Sequence, residues 1–249
     1  MLSRPTVHAP ARILAAAAAA LCLVLLASCS TEGAGDDEAA TDPAPTSTES
    51  SAPTEPTEET PEPAAEGACE YPSDGMPPSK QAEAPPVEPV ATDVVPVEIA
   101  TSAGSLNAEL DGAATPCTVN SFLSLAGQNY FNDTECHRLT TEGIFVLQCG
   151  DPTATGTGGP GYSFADELSG DETYPAGTLA MANAGPDTNG SQFFVVYEDT
   201  QLPPAYAVFG QLDAPGTKVV QQIAEAGTED GGPDGAPAET VTIETVTGG

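Results

Sequence analysis

The sequence predicts one folded domain, built as a closed and mostly antiparallel β-barrel with helical caps. Two observations carry this prediction. Short segments with β-strand character, separated by glycine-rich turns, fill the chain after about residue 90, and two segments there have helical apolar spacing. Before residue 90 apolar periodicity is nearly absent, and the roughly 160 residues that follow are enough for one core.

Each predicted element follows from a local pattern. Val94–Thr101 is rich in β-branched residues, and a turn at 102–105 leads into the alternating segment 106–110, so these strands form a hairpin. A helix is predicted from Pro116, which suits the first helical turn, to about Gly127, and a second over 218–226. The remaining predicted strands are 136–139, 144–148, 179–182, 192–196, 207–211 and 239–246.

The chain is strongly acidic, with a formal net charge of -32 at pH 7. A surface of this charge repels phosphate backbones and anionic headgroups, so nucleic acid is excluded as a partner. After residue 29 the fixed positive charges are Lys80, Arg138 and Lys218. Arg138 is the one arginine in that part of the chain and lies amid strand-like sequence, which indicates a specific use.

Residues 1–29 are predicted to be a lipoprotein signal peptide. Arg4 and Arg12 precede the apolar run 13–26, which is too short for a comfortable membrane span. The run ends in LASC at 26–29, which resembles the lipobox of bacterial lipoproteins. That resemblance implies lipid on Cys29 and a place on the extracytoplasmic face of the cell membrane, with the lipid anchor as the sole membrane contact. An ordinary secretory signal with an incidental cysteine is the alternative.

Residues 30–89 are predicted to be a disordered acidic tether rich in proline, threonine and glutamate. Such a composition buries too little apolar surface to offset its chain entropy. The like charges should extend it and hold the domain of residues 90–249 away from the membrane. Cys69 and Tyr71 interrupt the composition and suggest that the end of the tether is attached to the domain.

Four cysteines remain once Cys22 and Cys29 are set aside. An even number in an exported protein predicts two disulfides, with three connectivities among Cys69, Cys117, Cys136 and Cys149. If Arg138 and Gln148 share one face of paired strands, alternation places Cys136 and Cys149 on opposite faces. Cys136–Cys149 is therefore the least favoured bridge. Of the two remaining connectivities we prefer Cys117–Cys136 with Cys69–Cys149, which would attach the tether to the domain. A zinc site is the alternative, but no CxxC pair or histidine cluster supports it.

Several motifs after residue 90 occur in the order known from one enzyme family. They are HR at 137–138, QCGDP at 148–152, GTGG at 156–159, GTLAMANAG at 177–185, TNGSQFF at 188–194 and VFG at 208–210. With these motifs the segment 90–246 resembles the cyclophilins, which are peptidyl-prolyl cis–trans isomerases. The resemblance implies a mostly β fold, an eight-stranded antiparallel closed barrel capped by two α-helices. It implies proline-containing polypeptides as substrates, and we expect a monomer with no metal or cofactor.

The resemblance also assigns roles by position. Arg138 matches the catalytic arginine, acting with Phe145, Gln148 and Asn183. The residues matching the proline pocket are Phe145, Val146, Phe194 and Leu202, those matching the substrate-backbone site are Gln148, Ala182, Asn183 and Gln192, and those bordering the neighbouring groove are Gly156 and Ala184.

Three features depart from the family pattern. The turn after Arg138 is longer, Leu202 replaces the usual pocket tryptophan, and Tyr206 replaces the usual pocket histidine. Leucine and tyrosine still pack on a proline ring, so we expect an active isomerase for exported proteins. A non-catalytic module that binds proline-containing segments, as a chaperone or assembly factor, is the alternative. His137 has no nucleophile paired with it, so we expect a structural role.

Overall fold

The computed structural model describes residues 67–248 of the chain. The predicted signal peptide, its Cys29 and most of the predicted tether lie outside the described residues. None of the helices within 67–248 has both the length and the apolar character of a membrane-spanning segment.

Ten strands and two helices make up the fold. The helices are α1 (Pro116–Gly127) and α2 (Ala214–Ala226). The strands are β1 (Val94–Thr101), β2 (Gly104–Asp111), β3 (Thr134–Glu135), β4 (Arg138–Thr140), β5 (Val146–Cys149), β6 (Thr178–Met181), β7 (Phe193–Val196), β8 (Val208–Leu212), β9 (Asp234–Gly235) and β10 (Thr242–Gly248). Every predicted strand and helix is present, with shifted ends.

The strands form one antiparallel sheet in the order β3-β10-β1-β2-β8-β6-β7-β5-β4-β9. The prediction of a closed eight-stranded barrel is wrong, because the sheet curls into a half-barrel whose edge strands β3 and β9 do not pair with each other. These two strands are two residues long, which is too short to show apolar alternation in the sequence. They add an edge at each end instead of closing the ring.

The main core is built around aromatic rings that α1 brings to the sheet. Phe122 of α1 lies 5.0 Å from Phe131, 5.6 Å from Phe193 and 5.4 Å from Phe209, measured between ring centroids. Val119 and Leu125 of the same helix are fully buried. The apolar stripe predicted for this helix is therefore its core-facing side.

The second helix begins four residues before its predicted start. The Asp213 carboxylate accepts a hydrogen bond from the Gly216 N–H at 2.6 Å and caps the helix, and Pro215 occupies the first turn. This cap and proline are the sequence signals that place the start at Ala214.

A segment of the predicted tether lies on the domain. Residues 69–90, here called the N-terminal strap, contact it through backbone and side-chain groups. The Tyr71 hydroxyl donates to the Cys117 carbonyl at 2.8 Å, and the Tyr71 ring packs edge-on against Tyr162 and Phe164. The Asn120 amide donates to the Pro86 carbonyl at 2.8 Å. The end of the tether is thus attached to the domain, as Cys69 and Tyr71 suggested.

The favoured disulfide connectivity is wrong. The bonds are Cys69–Cys117 and Cys136–Cys149. Arg138 and Gln148 are register partners as assumed, but the Gln148 carbonyl also accepts a hydrogen bond from the His137 N–H at 3.0 Å. Two residues therefore oppose one, as in a β-bulge, and alternation fails before Arg138. The extra residue brings the Cα atoms of Cys136 and Cys149 to 4.0 Å.

Candidate functional site

A second, smaller apolar cluster lies on the face of β5, β6 and β7 that points away from the main core, and it is here called the pocket because it holds the residues expected to contact a proline ring. Phe194 is its centre and is the register partner of both Gln148 and Ala180. The buried residues of the pocket are Val146, Tyr174, Ala180, Phe194 and Val196, and the half-buried residues packed on them are Ile144, Ala182, Leu202, Tyr206 and Val208. Most of the predicted pocket residues therefore meet in one cluster.

Phe145 is the predicted pocket residue that the structure does not bring to this cluster. Its ring packs edge-on against Tyr197 at 5.9 Å, and it belongs with the main core. Ile144, Val146 and Gln148 alternate onto the pocket face, so Phe145 lies on the other side of the strand. Ile144 takes the pocket position. The odd spacing between Phe145 and Gln148 is the sequence signal that separates them.

Two polar side chains fix the loop that carries Leu202 and Tyr206: buried Tyr174, which the sequence analysis did not single out, and half-buried Asn183, which it did. The Tyr174 hydroxyl donates to the Pro203 carbonyl at 3.2 Å and to the Tyr206 carbonyl at 3.1 Å. It also accepts a hydrogen bond from the Tyr206 N–H at 3.1 Å. The Asn183 amide donates to the Ala205 carbonyl at 2.9 Å. The Asn183 side chain therefore holds the wall of the pocket.

A row of polar side chains runs from Arg138 along the edge of the pocket. The Arg138 Nη1 donates to the Gln148 Oε1 at 3.4 Å, the Gln148 amide donates to the Gln192 Oε1 at 2.8 Å, and the Gln192 amide donates to the Gly158 carbonyl at 2.9 Å. The Ala182 N–H donates to the Gln192 carbonyl at 3.0 Å. Arg138 and Gln148, predicted as catalytic, and Gln192, predicted as substrate-binding, are thus one connected set.

The Arg138 guanidinium also forms a two-point ion pair with Asp234. Its Nε donates to Oδ1 at 2.8 Å and its Nη2 donates to Oδ2 at 2.7 Å. The hydrogen bonds with Asp234 raise the pKa of Arg138, and those with Arg138 lower the pKa of Asp234. Asp234 comes from β9, 96 residues after Arg138, and no motif in the sequence pointed to it.

Beside the pocket lies a cavity of about 480 Å³, here called the side groove. Gly156 and Ala184 line it, as predicted for the neighbouring groove, together with Ala182, Gln148 and Gln192, which were predicted for the substrate-backbone site. Its other wall comes from the N-terminal strap, through Asp74, Met76, Pro77 and Ser79. The groove therefore continues directly from the polar row.

Asp151 shapes the glycine loop that forms the floor of the side groove. This buried carboxylate accepts hydrogen bonds from the N–H groups of Thr153, Gly156 and Gly158, at 2.7, 2.7 and 3.0 Å. Burial acts to raise its pKa, but these hydrogen bonds outweigh burial and lower it. Asp151 is therefore a charged anchor for the loop, a role the sequence motif did not reveal.

His137 lies behind the site. Neither of its ring nitrogens has a hydrogen-bond partner in the described part of the chain, and burial lowers the pKa of the ring. The described contacts thus give the imidazole no group with which to exchange a proton. The placement agrees with the structural role expected for it.

Comparisons with known proteins agree with this geometry. The model of the family "Cyclophilin type peptidyl-prolyl cis-trans isomerase/CLD" matches residues 96–248. Proteins named probable peptidyl-prolyl cis-trans isomerase B are 50% identical over 198 residues in Mycobacterium leprae and 49% identical over 193 residues in Mycobacterium tuberculosis. Each of these two matches covers 72% of this chain, which spans 65% and 63% of the two relatives.

A solved structure gives the same result for the fold. A cyclophilin type peptidyl-prolyl cis-trans isomerase from Cryptosporidium parvum is 31% identical, with a TM-score of 0.55. The similarity covers 63% of this chain and 98% of that one. Since the family model also matches more than half of the chain, the protein belongs to the family of cyclophilin type peptidyl-prolyl cis-trans isomerases.

Proposed function

We propose that this protein catalyses cis–trans rotation about X–Pro peptide bonds. The observation that carries the proposal is the Arg138 guanidinium at the rim of an apolar pocket formed around Phe194. The names of the relatives support the activity. A structure of the Cryptosporidium parvum protein in the presence of the dipeptide Ala-Pro, 32% identical with a TM-score of 0.54, supports proline-containing ligands.

The chemistry needs positioning rather than bond breaking. Amide resonance gives the X–Pro bond a barrier of about 18–20 kcal/mol, so spontaneous exchange takes roughly tens to hundreds of seconds. At the top of this barrier the prolyl nitrogen becomes pyramidal and gains a lone pair that accepts a hydrogen bond. A donor that meets this lone pair stabilises the twisted state more than the planar one and lowers the barrier.

Arg138 offers such donors. A guanidinium has five N–H groups in a fixed plane, always charged. Asp234 accepts from two of them and Gln148 from one, which leaves two for the substrate among the contacts of the described residues. Either of these two can donate to the lone pair that the prolyl nitrogen gains when the bond twists. The ring of the proline would lie against Val146, Phe194 and Leu202, and the flanking chain along Gln148 and Gln192.

A protease-coupled assay on a proline peptide tests the proposal. We expect the wild-type protein to accelerate the conversion of the cis peptide to the trans peptide. Binding of the peptide without acceleration would instead support the alternative, a module that holds proline-containing segments.

For its location, we propose that the protein is lipid-anchored through Cys29 on the extracytoplasmic face of the membrane and acts there on exported proteins. Two disulfides support an oxidising compartment. The LASC segment at 26–29 supports lipidation. The full-length protein is expected to partition into the detergent phase of a Triton X-114 extract and the Cys29→Ala variant into the aqueous phase. Equal partitioning of the two would contradict the anchor.

A further inference from the structure

We infer that the N-terminal strap forms part of the substrate-binding surface and selects an apolar side chain close to the X–Pro bond. This inference rests on the proposed function and deepens it. The strap precedes residue 96, where the family model begins, yet it provides one wall of the side groove. Selectivity from this wall is thus a property that the strap adds to the family domain.

The side groove lies within two residues of the proposed proline pocket. Val146 of β5 lines the pocket, and Gln148 of the same strand and face lines the groove. Two residues along a strand span about 7 Å, which is also the length of two residues of an extended peptide. A chain whose proline occupies the pocket therefore places a neighbouring side chain at the groove.

Hydrogen bonds on both sides of Met76 hold the strap in place. The Asp74 N–H donates to the Gly161 carbonyl at 3.3 Å, and the Ser79 N–H donates to the Gly159 carbonyl at 2.9 Å. The Gly159 N–H in turn donates to the Ser79 hydroxyl at 3.1 Å. A wall fixed before binding requires little ordering when the substrate arrives.

The chemistry of this wall favours an apolar ligand group. Met76 is 67% exposed, an unusual state for a large apolar side chain, and it lines the groove beside Pro77 and the small residues Ala182 and Ala184. The unbranched thioether of methionine adapts its shape to different apolar partners. A substrate side chain in the groove would cover the exposed part of Met76.

Pairs of proline peptides test this inference. The two peptides of a pair differ at one position within two residues of the X–Pro bond, where one carries norleucine and the other glycine. At one position we expect wild type to prefer norleucine by about tenfold in kcat/KM. Met76→Ala should lose most of that preference. Val87→Ala is the matched control, because Val87 is 60% exposed in the same strap and does not line the groove.

The inference is overturned if Met76→Ala keeps the full norleucine preference, or if wild type shows none at any position. The preference for norleucine over glycine is also measured as a ratio of peptide Kd values, which does not depend on isomerase activity. A wild-type protein without activity would contradict the proposed function, and the Kd ratio would still decide the role of the strap.

An independent observation, the Arg138–Asp234 ion pair, carries a second inference. The geometry points to Asp234 as a positioning residue for the proposed catalytic arginine. β9 holds Asp234 opposite Thr140 of β4, and the Thr141 N–H donates to the Pro233 carbonyl at 2.8 Å. A carboxylate on a pinned backbone fixes both Nε and Nη2, so the guanidinium plane is set before substrate binds.

Variants of Asp234 test this role. We expect Asp234→Ala to lower kcat by about tenfold through misplacement of the guanidinium, with little change in KM. Asp234→Glu keeps the carboxylate and should recover most of the rate. Glu229→Gln removes the same charge from the same loop without contact to Arg138 and should leave the rate unchanged.

The NMR signal of the Arg138 Nε–H provides a readout independent of activity. It should shift in Asp234→Ala and stay in place in Glu229→Gln. Asp234→Ala activity equal to or above wild type would overturn the inference, because Asp234 would then compete with the substrate for Arg138. An unshifted Nε–H signal would also overturn it.

Discussion

Replacing Arg138 by alanine is expected to lower kcat/KM for a proline peptide by about 100-fold, the usual effect of removing a donor that acts on the transition state. The planar peptide still has its apolar pocket around Phe194 and the amide groups of Gln148 and Gln192. Binding of the ground state should therefore change little. The protease-coupled assay measures the rate, and peptide titration measures the Kd.

Arg138→Lys is the matched control for charge. Lysine keeps the positive charge but lacks the planar set of donors that reaches Asp234, Gln148 and the substrate together. Its rate should lie close to that of Arg138→Ala. A lysine variant with wild-type activity would show that charge alone is sufficient and would contradict the role given to donor geometry.

The double variant Cys69→Ser/Cys117→Ser is expected to lose about 4 kcal/mol of unfolding free energy, from loop-closure entropy for a separation of 48 residues. This disulfide joins the N-terminal strap to the first turn of α1. Urea denaturation followed by circular dichroism measures the change.

Cys136→Ser/Cys149→Ser is the comparison for this result. The Cys136–Cys149 disulfide closes a loop with a separation of 13 residues, and the same entropy model gives a loss of about 3 kcal/mol of unfolding free energy when it is removed. The longer loop should therefore cost more. A larger loss from the shorter loop would indicate that packing behind the site, rather than chain entropy, dominates the effect of the disulfides.

The type and order of the elements could be predicted from the sequence because apolar periodicity records which face of a strand or helix is buried. Phe193 and Phe194 illustrate this, since adjacent residues of β7 lie in the main core and in the pocket as alternation requires. Strand ends and the two-residue strands β3 and β9 leave no such record. The sheet consequently has ten strands and two open edges, whereas a closed barrel of eight strands was expected.

The disulfides show why a local rule can fail. Strict alternation made Cys136–Cys149 the least favoured bridge. Alternation is interrupted at His137, where the chain bonds to two neighbours: the His137 N–H donates to the Gln148 carbonyl of β5, and the Cys136 N–H donates to the Val241 carbonyl of the chain before β10. No residue near Cys136 encodes that partner. The pairing therefore depends on tertiary structure.

The candidate site was largely predictable, but its supporting residues were not. Arg138, Gln148 and Phe194 lie in recognisable motifs and come together in the structure. Asp234 and the strap residue Met76 lie far away in sequence, in segments without apolar periodicity. Backbone hydrogen bonds and a disulfide hold those segments, and neither leaves a pattern that a single sequence displays.

The most direct test of the central claim is the exchange rate of a proline peptide bound to Arg138→Ala, measured by two-dimensional NMR exchange at saturating protein. We predict that cis and trans peptides bind with nearly wild-type Kd while their exchange on the protein slows by about 100-fold. Exchange at the wild-type rate, or a loss of binding as large as the loss of rate, would contradict the role of Arg138 as a donor to the twisted bond.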